Sequence, residues 1–507
     1  MKKRSNIIFL CLSLIFVVPA LIGLLHPGFF ATDDGNWMVI RFSAFYEALR
    51  NGQFPVRYLP RLNDGFGYPV ADFLYPLFMY IGVLIHILRF NFVDTIKVIL
   101  GLSLLFSSVF TYLWLRKFFD NISSFVGATL YTLFPYHLYD VYKRGSVGEV
   151  LALSIAPFIF WQTERKNYIF TGLGIALLVT AHNTLAFIFF PFLILYMLLK
   201  KEILFMFKSF VLGLLLSAFF WLPALYDKQF TVFDKTPVSD FSGYFLNLKD
   251  LNLLGPVFFV IVLCSFALLY FDRKKETIYF LTTTLITALF VFPVTSLFWK
   301  YFPFTSYIQF PFRLISYVLL GASFLAASQI NLLKGKIKIL FAVLFIGVIL
   351  YSAKDFLVPQ NYQYYPDTFY STNQDTTTVK NEYMPKWVKN IPTDQTSKIT
   401  VIKGNAKVQN LFTNGNKTTL FINTSSYSVL QYNSVYFPGW VVKVDNMKTA
   451  IDYKTNGLIR FTVNKGNHNI EIYFTETPLR LFSDMLSFLG LILILILLVK
   501  DRKILIK

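Results

Sequence analysis

The chain has little of what a disulfide-bonded or metal-binding protein needs. Of its 507 residues only two are cysteines and five are histidines. Cys11 and Cys264 both lie inside apolar runs. This placement argues against a disulfide framework and against a cysteine metal site. Charge is scarce as well, at 15% of residues, and acidic side chains are outnumbered 28 to 47 by lysine and arginine.

Apolar residues, by contrast, are abundant. They make up 55% of the chain, and the mean hydropathy is +0.54. Runs of about 16 to 22 apolar residues, broken by short charged clusters, are typical of a polytopic helical membrane protein. About thirteen candidate segments follow from length and hydropathy, at 7–25, 73–90, 95–115, 122–139, 147–162, 168–181, 184–199, 203–223, 254–271, 277–294, 312–330, 337–353 and 481–499.

The net charge of +19 does not indicate nucleic-acid binding, because the basic residues fall in short clusters between apolar runs. This is the distribution that marks cytoplasmic loops. The clusters are Lys2-Lys3-Arg4, Arg165-Lys166, Lys200-Lys201, Arg273-Lys274-Lys275, Lys334 to Lys338, and Lys500 to Lys507. Both ends are then cytoplasmic, which requires an even number of crossings. We expect about twelve, with a retained first helix and with 73–90 as the segment that does not cross.

Residues 354–478 differ in composition from the apolar part of the chain. They are rich in Asn, Thr, Tyr and Lys, and they alternate in stretches such as 428–433 and 458–463. Short alternating segments separated by Asn-Gly, Pro-Gly and Lys-Gly turns predict an antiparallel β-sandwich. The predicted organisation is a helical membrane domain at 1–353, a β-domain outside the cytoplasm at 354–478, and a final helix with a basic tail at 479–507.

The predicted topology collects polar residues at the outer face. The first outer loop, 26–72, holds Asp33 and Asp34 a few residues after the first helix, and an acid at a membrane edge favours a functional role. One of them is a candidate general base. The alternative is a helix cap, because Thr32-Asp33-Asp34 also fits a helix N-terminus.

Three further outer segments carry candidate site residues. In 142–149, Arg144 and the glycines suit a phosphate, and Glu149 is a second acid; the alternative is a capping box of Ser146 and Glu149. His182 lies at an outward turn, where a structural role is equally open. The candidates at the remaining membrane-edge positions are Gln309, Arg313, Arg57 and Arg61, whose arginines suit a lipid phosphate or act as interfacial anchors.

Several motifs in this order resemble a known group. They are Asp34 with Gly52-Gln-Phe-Pro-Val-Arg57-Tyr, Gly65-Phe-Gly-Tyr-Pro69, Phe73-Leu-Tyr-Pro-Leu77, Ala181-His-Asn183, Gln309-Phe-Pro-Phe-Arg313, Glu382-Tyr-Met-Pro-Lys-Trp387, and Tyr436-Phe-Pro-Gly-Trp440 with Val444-Asp445. The chain resembles the GT-C superfamily of membrane glycosyltransferases. It is most similar to the bacterial 6-pyruvoyl-tetrahydropterin-synthase-related membrane proteins and the related lipoteichoic-acid-glycosylating proteins.

The resemblance implies a GT-C bundle with an outer β-domain in the cell membrane. It implies inverting transfer of a sugar from a polyprenyl-phosphate donor to an extracytoplasmic glycan, lipid or protein. Asp34 or Asp33 would be the base, and Arg57, Arg144 and Arg313 would contact the donor phosphate. The acids do not form an Asp-x-Asp motif, so a divalent cation is left open and no cofactor is assigned. A non-catalytic scaffold or lipid-linked glycan carrier is the alternative function.

Overall fold

A computed structural model describes residues 2–235, 241–359, 361–393 and 395–500. The predicted basic tail 501–507 lies outside the described residues. The α-helices of the described part are α1 (Lys2–Ile15), α2 (Val18–Leu25), α3 (Gly35–Arg50), α4 (Leu77–Ile87), α5 (Phe92–Leu115), α6 (Asn121–Leu133), α7 (Pro135–Tyr139), α8 (Val147–Glu164), α9 (Tyr168–Ala181), α10 (Asn183–Leu199), α11 (Ile203–Leu216), α12 (Ala218–Asp227), α13 (Gly255–Phe271), α14 (Lys275–Leu289), α15 (Ser296–Tyr301), α16 (Thr305–Ile308), α17 (Ile315–Leu332), α18 (Gly335–Ala353), α19 (Asp367–Thr372) and α20 (Pro478–Lys500).

Several of these helices have the length and composition of membrane spans. Four single helices qualify, and the number rises to seven if each of three bent helix pairs counts as one span. The bent pairs are Ser5–Ile15 with Val18–Leu25, Ile203–Leu216 with Ala218–Phe230, and Lys275–Leu289 with Pro293–Tyr301. Helix α4 has 11 residues. Its length of about 16 Å is shorter than a hydrocarbon core of about 30 Å. The expected count of about twelve crossings stays a prediction.

The helices pack around an aromatic core. Helix α8 packs against α5 and α9, and α17 packs against α6 and α14. The Trp114 ring lies 5.4 Å from the Phe280 ring and 5.8 Å from the Phe324 ring, which joins α5, α14 and α17. Side-chain oxygens cap several helix starts, as where Asp120 accepts a hydrogen bond from the Ser123 N–H at 3.0 Å. Such caps satisfy backbone donors that a helix start otherwise leaves unpaired.

The C-terminal region carries two antiparallel β-sheets. The strands of the chain are β1 (Phe29–Phe30), β2 (Tyr362–Gln363), β3 (Ile399–Lys403), β4 (Ala406–Asn414), β5 (Lys417–Thr424), β6 (Ser428–Val435), β7 (Trp440–Val444), β8 (Met447–Thr449), β9 (Leu458–Val463) and β10 (Gly466–Phe474). One sheet has the order β4-β5-β10-β7-β8 and the other has the order β3-β6-β9. Side chains of both sheets, including Ile422, Tyr432, Phe461 and Ile472, form one core. The predicted β-rich region is confirmed.

Residues 362–377, between α18 and β3, pack against the first outer loop and α3. Strand β2 pairs with β1, and the Arg61 guanidinium bonds the carbonyls of Ser371 at 2.5 Å and Asn373 at 3.1 Å. Arg41 bonds both the hydroxyl and the carbonyl of Thr377. The strands of the two sheets run from Ile399 to Phe474, and the predicted domain bounds of 354–478 stay a prediction. Helix α19 and Thr377 thus lie against helix α3.

Candidate functional site

The carboxylate of Glu149 is the centre of a buried charged cluster. It lies 2.7 Å from Arg144 Nη1 and 2.9 Å from Arg313 Nε, and His182 Nε2 is 3.6 Å away. Glu149 itself has no exposed surface. Two guanidinium groups at such distances favour its ionised form. We call Arg144, Glu149, His182, Gln309 and Arg313 the Glu149 cluster.

The capping-box interpretation of Ser146 and Glu149 does not describe this structure. Ser146 occupies the position before α8, and its side chain makes no cap bond, while the Glu149 carboxylate binds arginines instead. Arg144 ends a π-helical turn, Asp140–Arg144, and also pairs with Asp140 at 2.8 Å. A π-turn of this kind is frequent at functional sites.

Gly145 ends that turn in the left-handed region, with φ +66°. A Cβ on this residue would come within 2.9 Å of the backbone of Gly35 at the start of α3. Glycine therefore supplies both the backbone angle and the room that let the turn approach the first outer loop.

The acidic pair of the first outer loop lies directly against this turn. The Asp33 N–H donates to the Lys143 carbonyl at 3.0 Å, and the Asp34 N–H donates to the Arg144 carbonyl at 2.8 Å. The Gly35 N–H at the start of α3 donates to the Thr32 hydroxyl at 2.9 Å, and the Asp34 carboxylate makes no cap bond. The cap interpretation thus applies to Thr32 and leaves the Asp34 carboxylate free of that role.

The two aspartates differ in environment. Asp33 is exposed, whereas Asp34 is half-buried. Burial raises the pKa of the Asp34 carboxyl above its usual value, and the nearby charges of Arg144 and Arg41 offset part of that rise. Of the two, Asp34 has the environment that tunes a carboxylate towards general-base work, because a base is most effective when its pKa approaches the working pH.

His182 lies beside the cluster in a fixed orientation. Its Nδ1 accepts the Leu185 N–H at 3.2 Å, so the ring caps α10 and directs Nε2 towards Glu149. The Tyr75 ring packs 4.5 Å from the His182 ring. A Cβ on Gly148 would overlap Tyr75 and lie 2.7 Å from the Ala181 carbonyl. Gly148 is thus the residue that lets α8, Tyr75 and His182 come together.

Arg313 is held from two sides. Its Nη1 donates to the Ile308 carbonyl at 2.8 Å and to Gln309 Oε1 at 3.0 Å, while Nε binds Glu149. The residue is only 4% exposed. An arginine that anchors at the interface extends its head group into water. This buried, fully oriented guanidinium does not match that description.

Arg57 and Arg61 lie apart from the Glu149 cluster. Arg57 is 2% exposed and pairs with Asp484 at 2.7 Å, Glu476 at 3.4 Å and Asp72 at 3.7 Å. Arg480 on α20 shares Asp72 with Arg57, at 3.5 Å, and also pairs with Asp227 at 2.8 Å. We call Arg57, Asp72, Asp227, Glu476, Arg480 and Asp484 the interdomain charge cluster. Arg61 binds loop carbonyls and Glu47 at 2.9 Å. The substrate-binding role predicted for both arginines has no support in these contacts.

The Glu149 cluster keeps donors that a ligand could use. Nε and Nη2 of Arg144 and Nη2 of Arg313 donate no hydrogen bond to any residue in the described ranges. Guanidinium donors of this kind bind phosphate oxygens in a planar fork. For a metal the fit is poor, because the described residues contain no group of three or more His, Cys, Asp or Glu side chains placed to hold one.

Most of the residues at this site were predicted from the sequence, and some were not. Asp34, Arg144, Glu149, His182, Gln309 and Arg313 all lie at one end of the bundle, with Asp33 beside them. The surroundings of the site also include Arg41, Asp140 and Tyr75. Of these three, only Tyr75 lies within a motif noted in the sequence. Asp140 gave no separate signal, because its role depends on the π-turn.

No protein-family model matches the chain. It is 24% identical over 266 residues to an uncharacterized protein of Lactococcus lactis subsp. cremoris (strain MG1363), and the alignment covers 48% of this chain. It covers 43% of the relative, so the chain spans less than half the length of that curated protein.

Two solved structures show a partial likeness. One is the arabinofuranosyltransferase AftD from Mycobacteria, with TM-score 0.47, 14% identity and coverage of 71% of this chain and 27% of that one. The other is the apo Archaeoglobus fulgidus oligosaccharyltransferase, with TM-score 0.49, 13% identity and coverage of 75% and 57%. Both TM-scores lie below 0.5. The chemistry considered next therefore rests on this chain's own residues.

Proposed function

We propose that the chain is an inverting glycosyltransferase of the GT-C type, which moves a sugar from a polyprenyl-phosphate donor to an extracytoplasmic acceptor. One observation carries the proposal: Asp34, a half-buried carboxylate without a cap bond, is paired through its backbone with Arg144, and Arg144 shares Glu149 with Arg313. An acid suited to an acceptor and cations suited to a phosphate therefore lie side by side. The resemblance to the 6-pyruvoyl-tetrahydropterin-synthase-related membrane proteins is consistent with a role in the cell envelope.

Asp34 would act on the acceptor hydroxyl. The hydroxyl oxygen attacks the anomeric carbon from the face opposite the phosphate, and its proton passes to the Asp34 carboxylate. The bond between the anomeric carbon and the phosphate oxygen breaks, and its electron pair leaves with the polyprenyl phosphate. A single displacement of this kind inverts the anomeric configuration. Proton removal by a positioned base contributes typically 10²–10⁴-fold in rate.

Arg144 and Arg313 would act on the leaving group. Negative charge on the phosphate grows as the glycosidic bond breaks, so fixed cations stabilise the transition state more than the bound donor. Glu149 holds both guanidinium groups in place before the donor arrives. His182 and Gln309 would keep Glu149 and Arg313 oriented.

The apolar helices supply the setting for such a donor. Polyprenyl chains are hydrocarbon, and helices such as α5, α17, α18 and α20 are long and apolar enough to cross a bilayer. We propose a multi-pass location in the cell membrane with the Glu149 cluster at the outer face. A lipid-linked donor then presents its phosphate at the depth of the bundle end.

The proposal is tested with the matched pair Asp34→Asn and Asp33→Asn in the full-length protein. Each variant is incubated in vesicles with the lipid-linked sugars extracted from the source membranes, and transfer and release of polyprenyl phosphate are measured. We expect Asp34→Asn to lose at least about a hundredfold in transfer. Asp33→Asn should stay close to the parent, because its carboxylate is exposed and its backbone bond is unchanged.

Two outcomes would contradict this function. Transfer at the parent rate in Asp34→Asn would remove the base. Absence of any transfer by the parent, together with lipid-linked sugar that co-purifies equally with the parent and with Asp34→Asn, would favour the scaffold or carrier function instead.

A further inference from the structure

Asp140 is a buried acid to which the proposed reaction gives no role. It begins the π-helical turn Asp140–Arg144, and its side chain is completely buried. Its Oδ1 accepts a hydrogen bond from Arg144 Nη1 at 2.8 Å, across the turn. Its Oδ2 is buried as well and accepts no hydrogen bond from any residue in the described ranges. One of the two oxygens of this carboxyl group is therefore without a partner.

Glu149 competes with Asp140 for the same donor. Arg144 Nη1 lies 2.7 Å from Glu149 Oε2 and 2.8 Å from Asp140 Oδ1, so two buried carboxyl groups meet at one nitrogen atom. Glu149 has partners on both oxygens, because Arg313 Nε donates to Oε1 at 2.9 Å and the Tyr136 hydroxyl donates to Oε2 at 3.4 Å. Two acids that share a site disfavour each other's ionised form, and one of them keeps its proton to a higher pH.

The contacts indicate that Asp140 is the acid that keeps the proton. A buried carboxylate oxygen without a donor is costly, and it is less costly as the hydroxyl of a neutral acid. Oδ1 would then be the carbonyl oxygen that accepts from Arg144, and Oδ2 would carry the proton. Burial and the negative charge of Glu149 raise the pKa of Asp140 well above its usual value, and the charges of Arg144 and Arg313 offset part of that rise.

The protonation state of Asp140 sets the net charge of the site. Arg144 and Arg313 carry two positive charges, and Glu149 carries one negative charge. His182 adds none at neutral pH, because burial lowers its pKa to about 3. A neutral Asp140 leaves one positive charge in excess, whereas an ionised Asp140 would cancel it. A phosphodiester carries one negative charge.

The other groups around the acid leave this balance unchanged. Tyr136 and Tyr139 face it from α7, and phenols are uncharged at neutral pH. Arg41 and Asp34, on the side of the first outer loop, carry opposite charges. Lys143 lies on the π-helical turn but is exposed, so water weakens the effect of its charge.

We infer that Asp140 is held as a neutral carboxylic acid, and that its proton leaves the site with the single positive charge that matches a phosphodiester donor. This rests on the proposed function, which assigns the donor phosphate to Arg144 and Arg313. Asp140 is then a positioning residue, which orients Arg144 through Oδ1 without neutralising it. A carboxylate in the same place would orient Arg144 and cancel the charge that the donor needs.

The first measurement detects the proton directly and needs no substrate. Infrared spectra of the full-length parent and of Asp140→Asn are compared at neutral pH, in H2O and in D2O. We expect the parent to show the C=O stretch of a protonated carboxyl group, shifted by deuterium, and Asp140→Asn to lack that component. Asp33→Asn is the matched control. It removes an exposed acid that adjoins the same turn, so the component should remain.

The second measurement tests the match of charge. Each variant in detergent is titrated with fluorescent farnesyl phosphoryl glucose, which is a phosphodiester, and with uncharged farnesyl glucoside. The parent should bind the diester more tightly than the glucoside. Asp140→Asn should bind the diester as the parent does, because asparagine replaces a neutral group of similar size. Asp140→Ala loses the acceptor that orients Arg144 and should weaken diester binding about tenfold or more. Glucoside binding should change little in either variant.

Three results would overturn the inference. Identical carboxyl bands in the parent and in Asp140→Asn would show that Asp140 is ionised. Loss of diester binding in Asp140→Asn, or failure of that variant to fold, would show that the negative charge is needed. Equal affinity of the parent for the diester and the glucoside would remove the match of charge. If transfer is still lost in Asp34→Asn, any of these results would leave the proposed transfer reaction intact and remove only the role of Asp140.

Discussion

Residues that look equivalent in the sequence have different environments in the structure. Asp33 and Asp34 are neighbours of the same type, and no sequence pattern decides which carboxylate is exposed. The backbone pairing with residues 143 and 144 decides it, because it turns Asp34 towards the arginines. In the same way, the sequence predicts one kind of position, at a membrane edge, for four arginines: Arg57, Arg61, Arg144 and Arg313. Only the fold assigns two of them to structural contacts and two to Glu149.

The raised pKa of Asp34 makes the pH dependence of transfer testable. The base must be ionised, so transfer should fall as pH drops through the pKa of Asp34, which lies above the usual aspartate value of about 3.9. Arg41→Gln removes a charge that lowers this pKa. The acidic limb of the rate profile should therefore move to higher pH in Arg41→Gln, while Asp33→Asn leaves it in place. A limb that stays fixed in Arg41→Gln would contradict the assignment of the base.

Arg313 tests the stabilisation of the leaving phosphate. Arg313→Ala removes a fixed cation and leaves Glu149 with one arginine, so transfer should fall by about 10²–10³, as when one transition-state donor is lost. Arg313→Lys keeps the charge without the planar fork and should lose less. Donor binding should change less than turnover in both variants. Parent-like transfer in both would make Arg313 an anchor and leave Arg144 as the phosphate contact.

At the scale of elements, alternation and turn residues predicted the β-sheets, because the period of two and the Gly turns are local signals. Composition did not show where the sandwich begins. Residues 362–377 are polar like the sandwich, yet they pack on α3 and the first outer loop. The capping box of Ser146 and Glu149 does not form, because Glu149 binds two arginines instead, whereas the cap at residues 32–34 forms through Thr32.

The interdomain charge cluster connects the sandwich to the helices. Arg480 pairs with Asp227 and Asp72 and also donates to the Pro438 carbonyl at 2.8 Å. Arg480→Ala would leave buried carboxylates without a partner, which costs about 3–5 kcal/mol. Limited proteolysis should then cleave the sandwich at lower denaturant concentration than in the parent.

A double variant provides the control for this loss. Asp227→Asn in the Arg480→Ala background removes one of the uncompensated charges and should recover part of the stability. Equal sensitivity of the single and double variants would mean that Arg480 acts through packing against Phe437 and Phe474 rather than through charge.

For the whole molecule, the charged groups divide between the two ends of α8. Glu149 belongs to the proposed site, whereas Glu164 pairs with Lys200 at 3.1 Å, close to the Lys166–Glu202 pair. Fifteen residues of helix separate the two acids by about 22 Å. We expect the lysine-rich end to face the cytoplasm, because positive charge gathers on that side. Hydropathy alone could not give the crossing number, since helices such as α4 and α9 are apolar but short.

The expected orientation can be measured by cysteine labelling. After Cys11 and Cys264 are replaced by alanine, single cysteines are placed at the exposed positions Arg50, Lys448 and Lys201. A membrane-impermeant maleimide should label the first two in intact cells and Lys201→Cys only after permeabilisation. Labelling of Lys201→Cys in intact cells, or protection of Lys448→Cys, would reverse the orientation.

The shared Glu149 has a consequence for turnover. A donor phosphodiester carries one negative charge, whereas the released polyprenyl phosphate is a monoester of about −1.5 to −2 at neutral pH, a charge that other phosphate monoesters share. Arg144 and Arg313 should therefore bind the released polyprenyl phosphate more tightly than the donor. We therefore expect product inhibition, with release of the spent lipid slower than chemistry, so that the steady rate depends on how fast the membrane removes it.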